Sequence, residues 1–297
     1  MAILFSNVIK DWDDSIEHWL KNGKSLTGPM APFRSFVKLG NLSDDYIPEP
    51  YYGDPDRCSA VVININPGSS TDNEYVKDWR NRSNPNCPLI WDLENTFSGK
   101  YSLFQEKYSP FTAESWVPGV QWWKDNRVAF IDKVVSQYNK AKGKAVNGER
   151  SPLAMEMCPL HSKDTKGLNL GKKEFRSHYI NYVFRPAEEA VQSSLLPFGL
   201  GFASFIEKIM NKCGYKKTLL HWEDGVDLLN SRRAIPQWPT SDGKPKKRTY
   251  KLISNGEKGA FLFTWDRSGS IIKHNATRMR EYEDVDDQMI LAIAAIF

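Results

Sequence analysis

Residues 60–70 read Ala-Val-Val-Ile-Asn-Ile-Asn-Pro-Gly-Ser-Ser, an apolar run that stops at a turn of small polar side chains. Val61, Val62, Ile63 and Ile65 are β-branched, which suits a strand covered on both faces. Pro67 has no N–H for a ladder, and Gly68 takes backbone angles closed to other residues, so the strand ends there. The junction presents Asn66 at the carboxyl end of a central strand, with Ile65 before it and Gly68, Ser69 and Ser70 after it. Open α/β sheets place their ligands at that end. An amide orients a water or a polar ligand but is no strong base, because it does not take a proton near neutral pH. From the residues alone, the same stretch also fits an ordinary turn, or an anion-holding turn of a small-molecule enzyme.

The elements that must hold this junction read as strand–loop–helix units. Ile9, Trp12, Ile16, Trp19 and Leu20 recur at helical spacing over 8–20, and a Gly/Pro-rich connector follows to Pro55. The first central strand is expected at about 59–65. Residues 69–125 are aromatic and lack clear periodicity, which predicts a long functional or flexible loop region. A helix is expected over 126–141, then a short buried strand through Leu153, Ala154, Met155 and Glu156 that stops at Pro159. A helix over 172–192 leads to Leu195–Gly201, which enters a helix at 202–212. A strand at 217–222, a basic insertion at 231–251, strands near 259–265 and 270–274, and a helix at 285–296 complete the series. This alternation predicts an α/β fold, a three-layer sandwich with a central, mainly parallel sheet and helices on both faces.

Composition sets the outer bounds. The 297 residues are 40% hydrophobic and 26% charged, with no apolar run long enough to span a bilayer, so no membrane partner is expected. Met1-Ala2-Ile3-Leu4-Phe5-Ser6 lacks the basic n-region of a secretory signal, and a cytoplasmic protein is expected. Cys58, Cys87, Cys158 and Cys213 lie far apart without a C-x-x-C pair. Buried thiols are therefore expected in place of a zinc or iron–sulfur site, and neither metal nor other cofactor is called for. The chain has no G-x-G-x-x-G and no G-x-x-x-x-G-K-[ST], which weakens dinucleotide and P-loop chemistry.

The net charge is only +4, but the basic residues cluster. Lys140, Lys142, Lys144 and Arg150 precede the second strand, and Lys163, Lys166, Lys172 and Lys173 follow it. Lys246, Lys247, Arg248 and Lys251 are interleaved with Trp238 and Tyr250. Basic residues among aromatics suit a polyanion surface, the alternative being a solvated loop. Trp116, Trp122 and Trp123 are candidate core anchors or stacking platforms.

The junctions follow in the order strand–Asn-Pro-Gly, strand–Glu-Met-Cys-Pro, strand–Gly-Leu-Gly–helix and strand–His-Asn-Ala-Thr-Arg. Over roughly residues 50–290 that order resembles the uracil-DNA glycosylase superfamily. Asn64-Ile65-Asn66-Pro67-Gly68 is similar to the G-I-N-P-G motif of its mismatch-specific branch, and Ile271–Arg278 is similar to the strand that ends in H-P-S. The chain departs from the pattern at Asn64, at Glu156 (a base-reading asparagine in the family) and at Asn275-Ala276.

The resemblance implies one glycosylase-like domain over 1–297, with a helical N-terminal extension over 1–50 and insertions near 69–125 and 231–251. It implies a metal-independent, monomeric DNA glycosylase that acts on a base flipped out of DNA. Asn66 would hold the attacking water, with Asp54, Asp72 or Glu74 as possible helpers, and His274 would donate to the departing base. A carboxylate at Glu156 accepts hydrogen bonds only, which suits the amino group of cytosine and repels the carbonyl of uracil. Gly68 and Ser69 leave open the space that a tyrosine fills in uracil-specific members. Together these features point to a 5-substituted cytosine, such as the glucosylated 5-hydroxymethylcytosine that anti-phage members remove. Lys163, Lys246, Lys247 and Arg248 would meet phosphates, and Arg278 and Met279 would wedge into the gap left by the flipped base. The alternatives are a uracil or mismatch glycosylase, and a non-catalytic nucleic-acid-binding protein of the same fold.

Overall fold

Side chains that alternate along two short strands divide the core into two faces. In β2 (Val61–Asn64), Val61 and Ile63 join one buried cluster while Val62 joins the other. In β3 (Leu153–Glu156), Leu153 and Met155 lie on the first face and Ala154 on the second. This is the two-residue period of a strand buried on both sides. The computed structural model describes residues 3–23, 25–39, 42–65, 67, 87–114, 120–145, 150–162, 171–201, 204–220, 237–239, 245–247, 249–254 and 260–265. The strand expected near 270–274 and the helix at 285–296 lie outside them.

β1 (Tyr51–Tyr52), β2 and β3 are joined by β4 (Phe198–Gly201), β5 (Lys216–Leu220), β8 (Thr249–Ser254) and β9 (Ala260–Trp265) in one seven-stranded sheet, ordered β1-β3-β2-β4-β9-β8-β5. The four central strands, β3, β2, β4 and β9, run parallel. The flanks are antiparallel: β1 on one edge, β8 and β5 on the other. The expected parallel arrangement thus holds for the centre. The β8–β9 connection, residues 255–259, is too short for a crossover, so that pair must run antiparallel. The basic stretch 231–251 contributes β6 (Gln237–Pro239) and β7 (Pro245–Lys247), which pair with each other, and the first residues of β8 in the main sheet.

Helices cover both faces. On one, α1 (Ile3–Lys21) turns Phe5, Val8, Trp12, Ile16 and Trp19 inward, so the N-terminal segment is part of the main core. The same face holds α7 (Arg176–Tyr179), which runs through a π-helical stretch (Ile180–Phe184) into α8 (Arg185–Ser193), and α9 (Ser204–Lys212). On the other face, α6 (Ala129–Ala141) packs Ile131, Val134, Val135 and Tyr138 over Val62, Ala154, Phe198 and Leu200.

The region 69–125, expected to be irregular, carries α3 (Pro88–Asn95), α4 (Tyr101–Tyr108) and α5 (Val120–Trp123). A 3-10 turn (Gly28–Phe33) likewise precedes the short α2 (Arg34–Lys38). These helices are too short for a sustained period, and tertiary packing holds them: Tyr101, Phe104 and Tyr108 all face the core. Trp123 is a core anchor, its ring edge-on to Phe111 at 4.9 Å. Cys58, Cys87 and Cys158 are buried thiols and Cys213 is half-buried. Among the described residues no helix is long and apolar enough to cross a membrane.

Candidate functional site

Parallel pairing in register brings the ends of β2 and β3 level, Asn64 opposite Glu156. Beyond the strands the ladder continues, with Met157 N–H donating to Asn64 O at 3.0 Å and Cys158 N–H to Ile65 O at 2.8 Å. Ile65, the residue before Asn66, is thereby fixed to the backbone that follows Glu156. On the other side, Glu156 N–H donates to Pro50 O at 2.9 Å, just before β1. The backbone around Glu156 is thus tied on both sides.

The Glu156 side chain is 4% exposed. Its Oε1 accepts a 3.1 Å hydrogen bond from Asn64 Nδ2, while its Oε2 is buried with no hydrogen-bond partner among the described residues. Asn64, Ile65 and Pro67 at the same strand end are half-buried. Burial pushes the Glu156 carboxyl up to about 8, against the opposing pulls of the Asn64 hydrogen bond and the Arg127 charge. Burial therefore favours the neutral acid, which donates as well as accepts, over the ionised carboxylate expected from the sequence.

Arg127 is 8% exposed and sits in a π-helical stretch (Lys124–Val128) between α5 and α6. Burial pulls its guanidinium down to about 10, and Glu156 pulls it back up. Stretches of π-helix insert an extra residue into a helix and re-aim a side chain, and they recur at functional sites. Below Glu156, His178 Nε2–H donates to Met157 O at 3.3 Å, and its ring is edge-on to Phe33 at 5.0 Å and to Trp12 at 6.2 Å. Burial holds that imidazole down at about 4, so it is neutral at physiological pH and supports the strand end.

Of the residues expected at the site, the structure brings together Ile65 and Glu156. Asn66, Gly68, Ser69, Lys163, Arg248, His274, Arg278 and Met279 lie outside the described residues, and so do Asp72 and Glu74. Lys246 and Lys247 stand on β7, paired opposite Trp238 and Gln237 of β6. Asp54 is removed from the set of helpers. Tyr52 pairs with Ala154, so the chain at Asp54 has passed the amino end of β3. Four strand residues then separate it from Glu156, about 13 Å. There Asp54 lines an open cleft of about 610 Å³ with Arg57, Glu106 and Arg150.

Two members of the site were missed in the sequence. Asn64 stands where the resembled G-I-N-P-G motif has a glycine, so the motif points away from it. Arg127 left a usable signal, because it falls on the same helical stripe as Ile131, Val134, Val135 and Tyr138, a charge where an apolar residue belongs. No family model, curated protein or solved structure matches this chain.

Proposed function

We propose that the chain is a DNA glycosylase of the uracil-DNA glycosylase type, a three-layer α/β enzyme that removes a 5-substituted cytosine, such as glucosylated 5-hydroxymethylcytosine of phage DNA. Water attacks C1′ of the sugar and its oxygen forms the new bond there. The bond between C1′ and the base nitrogen breaks, and its electron pair leaves with the base. A proton from the water ends on the base or in solvent, and an abasic site remains. Asn66 orients the water, His274 donates to the departing base, and Glu156 reads the base edge. The basic residues Lys163, Lys246, Lys247 and Arg248 hold phosphates, and Arg278 and Met279 fill the vacated stack.

One observation carries this reading. A buried polar side chain with an idle oxygen, Glu156 Oε2, lies at the carboxyl end of the parallel pair whose other strand runs into Asn66. Ligand sites of open α/β sheets are built at such strand ends, and buried polar atoms without partners mark places where a ligand supplies one.

The test is base release from uracil-containing DNA, unmodified DNA and phage DNA carrying glucosylated hydroxymethylcytosine, followed by alkali to cut abasic sites. Cutting of the phage DNA alone is expected, with a loss of about 100-fold or more in Asn66→Ala at unchanged DNA affinity. Release of uracil would keep the chemistry and discard the specificity. Binding without release from any of the three would make the protein a nucleic-acid-binding module.

A further inference from the structure

Resting on the base-pocket reading for its ligand, we infer that Glu156 works as a neutral carboxylic acid with a fixed polarity. Its Oε2–H donates to ring nitrogen N3 of a cytosine, and its Oε1 accepts from the exocyclic amino group. Asn64 is the positioning residue that sets this polarity.

The assignment follows from which atoms are occupied. Asn64 Nδ2 is a donor only, so Glu156 Oε1, 3.1 Å away, has to accept. A neutral carboxyl then carries its proton on Oε2, the oxygen that is buried without a partner. Were the group ionised, that oxygen would hold negative charge with no hydrogen bond from the described residues, and burial outweighs what the Asn64 bond and the Arg127 charge return. Protonation removes the cost and leaves a donor without an acceptor among the described residues. Oε1 keeps a second lone pair for the amino group of the same base.

Among the described residues, the charged and titratable groups that face Glu156 come from three elements. Arg127, on the π-helical stretch, favours the ionised form. Tyr52 on β1 and Cys158 just past β3 feel the Glu156 charge and are themselves held protonated by burial. One partly desolvated cation thus works against the burial of the whole strand end, and burial prevails, which leaves the carboxyl titrating at about 8. Cytosine offers an acceptor at N3 and a donor at its amino group, so a fixed donor–acceptor pair meets it at two points. In the same register uracil sets N3–H against Oε2–H and O4 against Oε1. Specificity for cytosine then comes from the proton on Glu156 and not from its charge.

The experiment compares Glu156→Gln, Glu156→Ala and the native chain in base release across pH. Glutamine copies the neutral acid, one acceptor and one donor. Glu156→Ala should lower kcat/KM at pH 7 by about 100-fold, and Glu156→Gln should restore it to within about tenfold. Native activity should fall as pH rises through about 8, and Glu156→Gln should show no such fall. A folded Glu156→Gln as weak as Glu156→Ala overturns the inference. An independent readout is the carboxyl ¹³C resonance of Glu156, assigned by its absence in Glu156→Gln. It should remain that of an acid at pH 7, and titration near the ordinary glutamate value would overturn the inference. If the native protein releases no base from any DNA, the glycosylase reading fails, and this resonance still decides whether Glu156 is a neutral acid.

Discussion

Asp13 on α1 and Glu156 on β3 are carboxyls whose burial raises their pKa, and their surroundings use them in opposite ways. Asp13 Oδ1 accepts from Ser102 N–H at 3.0 Å and Oδ2 from Ser102 Oγ at 2.9 Å. Ser102 lies in the first turn of α4, whose N-cap residue Lys100 makes no side-chain capping bond. The turn before α4 lies so close to α1 that a Cβ on Gly99, at φ +76°, would stand 2.9 Å from Glu17 Cβ. Both oxygens of Asp13 are spent on joining two helices. Glu156 lies deeper, spends one oxygen on Asn64 and leaves the other idle. A carboxyl with both oxygens hydrogen-bonded is part of the scaffold. One held inside with an oxygen unpartnered lowers stability in return for something the folded chain alone does not use.

The largest effect expected from this contrast is on stability against pH. The native state raises the Glu156 pKa from 4.5 to about 8, so its contribution is fully present below 4.5 and is lost as pH rises through about 8. The loss is worth up to about 5 kcal/mol. Urea midpoints of the native chain and Glu156→Gln, compared from pH 4 to pH 9, should therefore diverge in favour of the variant as pH rises. A constant difference would mean that the Glu156 carboxyl does not titrate as its burial requires and would end the contrast.

His178 gives the opposite sign. Its native pKa is depressed from 6.5 to about 4, so the stability it carries is present above 6.5 and lost as pH falls through about 4. Up to about 3 kcal/mol is at stake. His178→Phe keeps an aromatic ring among Trp12, Phe33 and Tyr179 but has nothing to titrate. Against this variant the native chain should lose stability as pH falls from 6.5 to 4, read as the difference between the two urea midpoints at each pH.

The two regions were unequally legible in the sequence. The strand end at Asn66 stands out because β-branched residues give way to Pro67 and Gly68 within a few positions. Helix α1 stands out because Trp12, Ile16 and Trp19 keep one period over most of its length. The pairing of Asn64 with Glu156 spans 92 residues of chain, and strand register across that distance has no local signature. The ionisation state of Glu156 has no local signature for a related reason, since burial belongs to the packed strand end and not to the residue type. The Asp13–Ser102 contact, 89 residues apart, was equally hidden. Helix α4 itself was overlooked because eight residues hold too few turns to display a period.

Asp13 provides the smallest and most discriminating prediction. Asp13→Ala removes both acceptors at the start of α4 and leaves the Ser102 N–H and hydroxyl to find water at a half-buried junction. Loss of a helix-capping bond of this kind costs about 1–2 kcal/mol. Asp13→Asn keeps one acceptor but turns an N–H₂ toward a donor, so it should recover about half of that, since only one of two bonds survives. Both variants should lower the urea midpoint, Asp13→Asn by about half as much, and both should release base at the native rate once folded. If Asp13→Ala instead depressed base release while sparing stability, a fully hydrogen-bonded carboxyl would be serving the site, and the idle oxygen of Glu156 would lose its value as the mark that separates function from scaffold.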